Sequence, residues 1–328
     1  MHKYRQENYQ SIDFESVRTR QNINQIELRR SKRSSHQKQK RLDLLRSQSA
    51  EIPPSILKIH PMLGSYPPSE ILKQLTGLLE EPQEDPLLSD VFGLLHFYIL
   101  RTQLPVSSYQ ESHLVEILLG HCHTKSPMME KACEVFCNIT SRSSEYNQLV
   151  IQSGAVPILV KLINDSNIDD CENPIWILAN LAADNIDIRE SMIRLGITEL
   201  LLSKVPSDFL VKKAIVWLCS SLPIDISHKY LKESYDLVEI LFRWYSTGDT
   251  ESYSNFLRGT ATLCTDNKII DEVIRRGIFD VLKNALRNQD EDIYCHAIML
   301  FGAISAGNLN HTQICICLLY TSPSPRDS

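Results

Sequence analysis

Leu149-Val150-Ile151-Gln152-Ser153-Gly154-Ala155-Val156-Pro157-Ile158-Leu159 has two counterparts further along the chain. They are Ser191-Met192-Ile193-Arg194-Leu195-Gly196-Ile197-Thr198-Glu199-Leu200-Leu201 and Glu272-Val273-Ile274-Arg275-Arg276-Gly277-Ile278-Phe279-Asp280-Val281-Leu282. Each reads as the apolar end of one helix, a glycine, and the start of a second apolar helix. The glycine is predicted to take the left-handed conformation that ends a helix before the chain turns into the next. The three glycines lie 42 and 81 residues apart, and 81 is close to twice forty. The skipped unit, near Asp236, lacks the glycine but keeps the apolar helix Leu237-Val238-Glu239-Ile240-Leu241-Phe242.

A helical repeat of about 40–47 residues is the pattern of armadillo and HEAT units. Such units cannot bury their apolar faces alone, so they stack into a solenoid. Residues 70–314, 245 in number, divided by 42 give just under six units. The predicted fold is therefore all-α, a right-handed superhelical solenoid of about six repeats with the last incomplete. Residues 1–50, rich in Arg, Lys, Gln and Ser, are too poor in apolar side chains to fold alone and are expected to form a largely disordered arm. Within them Asn22 and Gln25 fit the cap of a short helix over Ile26-Glu27-Leu28-Arg29-Arg30-Ser31-Lys32-Arg33. Residues 51–69 hold Pro53, Pro54, Pro61, Pro67 and Pro68 and read as a linker.

Charge is divided unevenly. Residues 1–50 carry 12 Lys+Arg against 5 Asp+Glu, a balance of +7, and the rest of the chain carries −13. A basic arm on an acidic body suggests an acidic receptor for the arm. An acidic body also repels phosphate, which argues against nucleic acid as a partner. The first twenty residues are too polar for a secretory signal. The longest apolar run, Val91 to Leu100, is broken by His96 and is too short to span a membrane. Nine cysteines, an odd number without paired spacing, point to a reduced intracellular setting with the thiols in the core. His121-Cys122-His123 lacks a second ligand pair at zinc-site spacing, so no metal or other cofactor is expected.

The inner helices carry a recurrent polar position. In Asn173-Pro174-Ile175-Trp176-Ile177-Leu178-Ala179-Asn180-Leu181-Ala182-Ala183-Asp184, the residues Trp176, Asn180 and Asp184 are four apart and share a helical face. An asparagine amide can clamp an extended peptide's backbone, donating and accepting at once. A tryptophan face can hold a lysine stem and attract its ammonium, worth roughly 0.5–2 kcal/mol. Asp184 is placed to pair with the same charge, although Trp176 also fits as a plain core residue. Asn138 stands 42 residues before Asn180; Ser221, with Trp217 four residues ahead of it, stands 41 after. Counting on, the next equivalents are Leu263 and Ala303, which cannot clamp a peptide.

On these residues the chain resembles the importin alpha family, whose inner helices bear a Trp-x-x-x-Asn ladder. Trp176/Asn180/Asp184 match that pattern; Trp217 has Ser221 in place of asparagine, and Asn138 has Glu134 in place of tryptophan. Ser153-Gly154-Ala155-Val156-Pro157 and the basic segment 18–41 are also similar to the family, and the resemblance covers about residues 15–314. It implies a nuclear import adaptor that shuttles between cytoplasm and nucleus. Such an adaptor would bind Lys/Arg-rich localisation signals of cargo proteins at Asn138, Trp176, Asn180, Asp184, Trp217 and Ser221. By the same resemblance Arg18, Arg20, Arg29, Arg30, Lys32 and Arg33 would engage importin beta. Lys40 and Arg41 would occupy the groove in its absence, weakly, because Gln39 replaces the first basic residue of that stretch. Arg142, where the family has a small residue, is expected to crowd or repel a basic cargo.

Two other classes are an armadillo scaffold with a degenerate groove, and an enzyme. No glycine-rich phosphate loop, nucleophile–base pair or metal cluster supports catalysis. Residues 315–328, with Thr321-Ser322-Pro323-Ser324-Pro325-Arg326-Asp327-Ser328, do not continue the repeat and read as an adapter-derived, non-native tail. His311-Thr312-Gln313 before them reads as the start of a further unit.

Overall fold

The computed structural model describes residues 65–81, 85–223 and 229–321, together with Lys58 and Pro61. The basic arm, its expected helix, all eight of its basic residues named above, most of the linker and the end of the tail lie outside the described residues. Within them every regular element is a helix, and no strand occurs.

Repeats are built from two or three helices each. The first comprises α1 (Pro68–Glu80) and α2 (Asp85–Arg101), and the second α3 (Val106–Glu111), α4 (Leu114–His121) and α5 (Met129–Thr140). The third holds α6 (Ser144–Gln152), α7 (Ala155–Asp165) and α8 (Glu172–Asp184); the fourth holds α9 (Ile186–Arg194), α10 (Ile197–Ser203) and α11 (Phe209–Ser221). The fifth keeps α12 (Leu231–Trp244) and α13 (Thr250–Leu263), and the sixth has α14 (Asn267–Arg275), α15 (Ile278–Ala285) and α16 (Glu291–Ser305). Helix α17 (Leu309–Thr321) follows, crossing position 314 without a break.

The predicted corners are present. Gly154, Gly196 and Gly277 have φ of +77°, +76° and +81°, and each stands between the first and second helix of its repeat. Their amides close the preceding helix on Ile151, Ile193 and Ile274 at 2.9–3.1 Å. A fourth corner lies 41 residues before Gly154 at His113, whose φ of +52° puts a residue with a side chain in the same backbone region.

The last helices of the repeats, α2, α5, α8, α11, α13 and α16, pack each on the next to form one layer. Side chains from the other helices back onto it, so a single apolar core runs from Leu72 to Cys315. This layered stack is the all-α armadillo solenoid expected from the repeat. Aspartate caps set the register of three inner helices: Asp208 accepts from Leu210 and Val211, Asp249 from Ser252, and Asp290 from Asp292 and Ile293. The caps are 41 residues apart. Counted from them, the position after Ser221 is Thr262, one residue short of the Leu263 expected from uniform spacing. Leu263 is instead a buried core residue.

Helices α11 and α13 approach closely. A Cβ at Gly259 would lie 2.8 Å from the Ser220 Cα and 2.9 Å from its Cβ, so only glycine permits this contact. No helix among the described residues is long and apolar enough to cross a membrane.

Candidate peptide-binding groove

The polar positions line up along the inner layer. Asn138 on α5 donates from Nδ2 to His96 Nδ1 on α2 at 3.0 Å. Glu134, one helical turn earlier on α5, reaches the same histidine nitrogen at 3.5 Å. His96 stands 42 residues before Asn138 and so occupies the same place in the first repeat. In the sequence it reads as an interruption in an apolar run, and its 42-residue spacing from Asn138 is the signal that could have found it.

Asn180 on α8 donates from Nδ2 to Thr140 Oγ1 at 3.3 Å, bridging to the end of α5. Among the described residues neither Asn138 Oδ1 nor Asn180 Oδ1 receives a hydrogen bond. Each amide thus has an acceptor and one N–H beyond its sideways bond, although the two residues are only 2% and 3% exposed.

Trp176 and Trp217 lie side by side with ring centroids 6.2 Å apart and planes tilted by 37°. Trp176 is 8% exposed and Trp217 only 2%. A lysine stem between two rings needs about 3.5–4 Å on each side, so it does not fit between these rings. The Trp217 indole N–H is buried and finds no acceptor among the described residues. Ser221 is fully buried and offers the groove no surface in this arrangement.

The chain itself supplies a cation here. The guanidinium carbon of Arg258, on α13, sits 5.1 Å from the Trp217 ring centroid. Its Nη2 donates to Ser220 Oγ at 2.5 Å and approaches Asn255 Oδ1 at 3.5 Å. Arg258 was not among the residues marked from sequence, although it stands 41 after Trp217 and nine after its helix cap, as Trp217 does.

Asp184 and Arg142 also meet partners within the chain. The Asp184 carboxylate accepts from the side chains of two α6 residues, from Asn147 Nδ2 and from Ser144 Oγ at 3.5 Å, through one and the same oxygen, Oδ2. The reason is local: Asp184 ends α8 where the first turn of α6 presents these donors. Arg142 lies 5.9 Å from the Tyr146 ring centroid, and two of its guanidinium nitrogens are buried. Its charge is thus drawn towards α6 and the Tyr109 hydroxyl.

The fold and the ladder together define an armadillo solenoid with a polar inner strip. No family model matches the chain. It is 26% identical over 192 residues to Importin subunit alpha-6 of Arabidopsis thaliana, covering 56% of this chain and 34% of that protein. With Importin subunit alpha-1a of Oryza sativa subsp. japonica it shares 24% over 311 residues, 93% of this chain and 58% of that one. The chain spans about a third of the length of the first of these relatives. Among solved structures, a designed armadillo repeat protein in complex with the peptide (KR)4 superposes with a TM-score of 0.60 at 19% identity, over 71% of this chain and 98% of that one. An engineered protein superposes with a TM-score of 0.62 at 19% identity, over 72% and 97%. The chain is an importin-alpha-like armadillo protein.

Proposed function

We propose that the chain is a nuclear import adaptor that holds a lysine- and arginine-rich peptide along α5 and α8, through Asn138, Asn180, Trp176 and Glu134. The observation that carries this reading is the pair of asparagine amides on successive inner helices. Each is held by a sideways bond and each keeps an acceptor and an N–H for a peptide backbone. Glu134, whose side chain is half exposed, gives the strip a negative charge at that end. The similarity to importin alpha subunits supports the same reading. The rest of the scheme extends it: the arm would contact importin beta through Arg18, Arg20, Arg29, Arg30, Lys32 and Arg33, with Lys40 and Arg41 competing for the groove. Trp217 and Ser221 would join the cargo strip only if their rung opened. Shuttling between cytoplasm and nucleus follows from the same scheme.

A second reading, a protein-interaction scaffold without signal binding, is favoured by one observation: the Trp217 rung is closed by Arg258.

Fluorescence anisotropy of a labelled lysine-rich peptide with the full chain separates the two. The adaptor reading expects micromolar or tighter binding, weakened by roughly 1–3 kcal/mol in Asn180→Ala or Trp176→Ala. A folded wild-type chain that does not bind the peptide leaves the scaffold.

A further inference from the structure

We infer that Arg258 is a built-in occupant of the groove: its guanidinium takes the seat over Trp217 that a basic peptide residue would take, so the chain selects short basic segments at the Glu134–Trp176 end. This rests on the peptide-binding reading above and says where that binding stops.

The geometry is that of a filled cation site. The guanidinium lies within the 6 Å range over which a cation is attracted to an indole face. It is anchored by Ser220, which in turn donates to the Trp217 carbonyl at 2.8 Å. Both partners are nearly buried, so the attraction is little screened by water. The seat is reached from the following repeat. Asp208 caps α11 and Asp249 caps α13, and Trp217 and Arg258 each stand nine residues beyond their cap. Arg258 therefore holds, one repeat on, the position that Trp217 holds, and its side chain leans back across the α11–α13 contact.

That contact cannot slacken to admit a second cation, because Gly259 brings the two backbones together beside it. A peptide ammonium arriving at Trp217 would meet a fixed positive charge and a covered ring. At the other end of the strip, Glu134 offers a carboxylate. Charge thus runs from negative to positive along α5, α8, α11 and α13, and a long basic peptide is accepted over only part of its length.

Labelled (KR)2 and (KR)4 peptides, titrated against the full chain by fluorescence anisotropy, test this. Wild type should bind the two within about threefold of each other. Arg258→Ala should tighten (KR)4 by about fivefold or more and change (KR)2 by less than twofold. Arg258→Gln keeps a stem and a donor to Ser220 and covers the case in which the alanine variant does not fold; it should behave likewise. Arg258→Lys, which keeps a cation, should leave the wild-type ratio. If folded Arg258→Ala and Arg258→Gln leave (KR)4 affinity unchanged or weaker while Asn180→Ala weakens binding, the seat inference fails and the peptide-binding reading stands. If no variant binds either peptide, both fail. Binding by Arg258→Ala but not by wild type overturns the selection of short segments, because the wild-type groove would then take no basic segment at all.

Discussion

Alanine in place of glycine should have opposite effects at two helical positions of this chain. At Gly259 a methyl group would sit 2.8 Å from the Ser220 Cα, 2.9 Å from its Cβ and 3.2 Å from Leu241 Cδ1. The leucine tip can rotate away, but the Ser220 backbone is fixed in α11. Restoring ordinary carbon–carbon separations of about 3.5–4 Å requires α11 and α13 to part by roughly 0.5–1 Å. Overpacking of this kind costs about 1–3 kcal/mol. Alanine regains about 0.8–1 kcal/mol of helix propensity over glycine. The net expectation is a loss of up to about 2 kcal/mol. At Gly93, in the interior of α2, a Cβ meets nothing within 4 Å. There the propensity gain acts alone, and Gly93→Ala should stabilise by about 0.5–1 kcal/mol. Urea unfolding followed by tryptophan fluorescence reads both, because Trp176, Trp217 and Trp244 report on the middle repeats. Gly259→Ala should also disturb the Arg258–Trp217 contact and shift the native emission. A Gly259→Ala stabilised as much as Gly93→Ala would refute the argument, since it would mean that glycine does not set the α11–α13 spacing.

Tyr109 is fully buried, packs edge-on against Tyr146 at 5.3 Å, and has a hydroxyl with no partner among the described residues. Tyr109→Phe keeps the ring contact and removes the unpaired group, so it should stabilise by about 1 kcal/mol in thermal or urea unfolding. Burial pushes the Tyr109 phenol up to about 12, the nearby Arg142 guanidinium opposing it. The folded state therefore holds this proton more tightly than the unfolded chain does. Its contribution is complete below pH 10 and is lost as the pH rises towards 12, on the order of 2 kcal/mol, and Tyr109→Phe should flatten that alkaline decline. All cysteines among the described residues are free. Burial raises the Cys171 thiol to about 11 and that of Cys264 to about 12. An aromatic disulfide reagent at neutral pH should label exposed Cys317 first, and reach Cys133, Cys171, Cys219 and Cys264 only on unfolding. Rapid labelling of those four in the native chain would contradict the core assignment.

The repeat was legible because its corners use glycine, and glycine is the residue that a left-handed turn selects. Where the chain forces the same turn on another residue, as at His113, the periodicity remained but the letter did not announce it. The ladder was legible at Asn138, Trp176, Asn180 and Trp217 because side chains four apart on one helix share a face. What the sequence did not disclose was which neighbour each side chain would meet in the adjoining repeat. Asp184 shares a face with Trp176 and Asn180, yet Asn147 and Ser144 claim its carboxylate. Arg258 reads as an ordinary charge in α13, and only its cap-to-cap register with Trp217 shows that it leans into the groove. Uniform counting failed at Leu263 for the same reason: caps, not a constant period, set where each inner helix begins.

The sideways bonds explain why polar residues recur on the inner helices, and they limit what that recurrence means. Asn138 bonds to His96, Asn180 to Thr140, Arg258 to Ser220, and Ser254 to His296 at 2.8 Å, each pair 38 to 42 residues apart. These pairs stitch four of the junctions between neighbouring repeats, and a polar rung can be retained for that purpose without touching a ligand. A serine or threonine hydroxyl has one donor; in Ser220 it is given to the Trp217 carbonyl. An asparagine has two donors and an acceptor, and one sideways bond leaves enough for a peptide. By this measure Asn138 and Asn180, and not Ser221 or Thr262, are the inner-layer residues we propose to grip a peptide backbone. The same two helices carry the exposed carboxylate of Glu134 and the more accessible of the two paired indoles, Trp176. The proposed backbone clamp, an aromatic face and a negative charge therefore converge on α5 and α8, whereas the aromatic face at α11 already has a cation from α13 beside it.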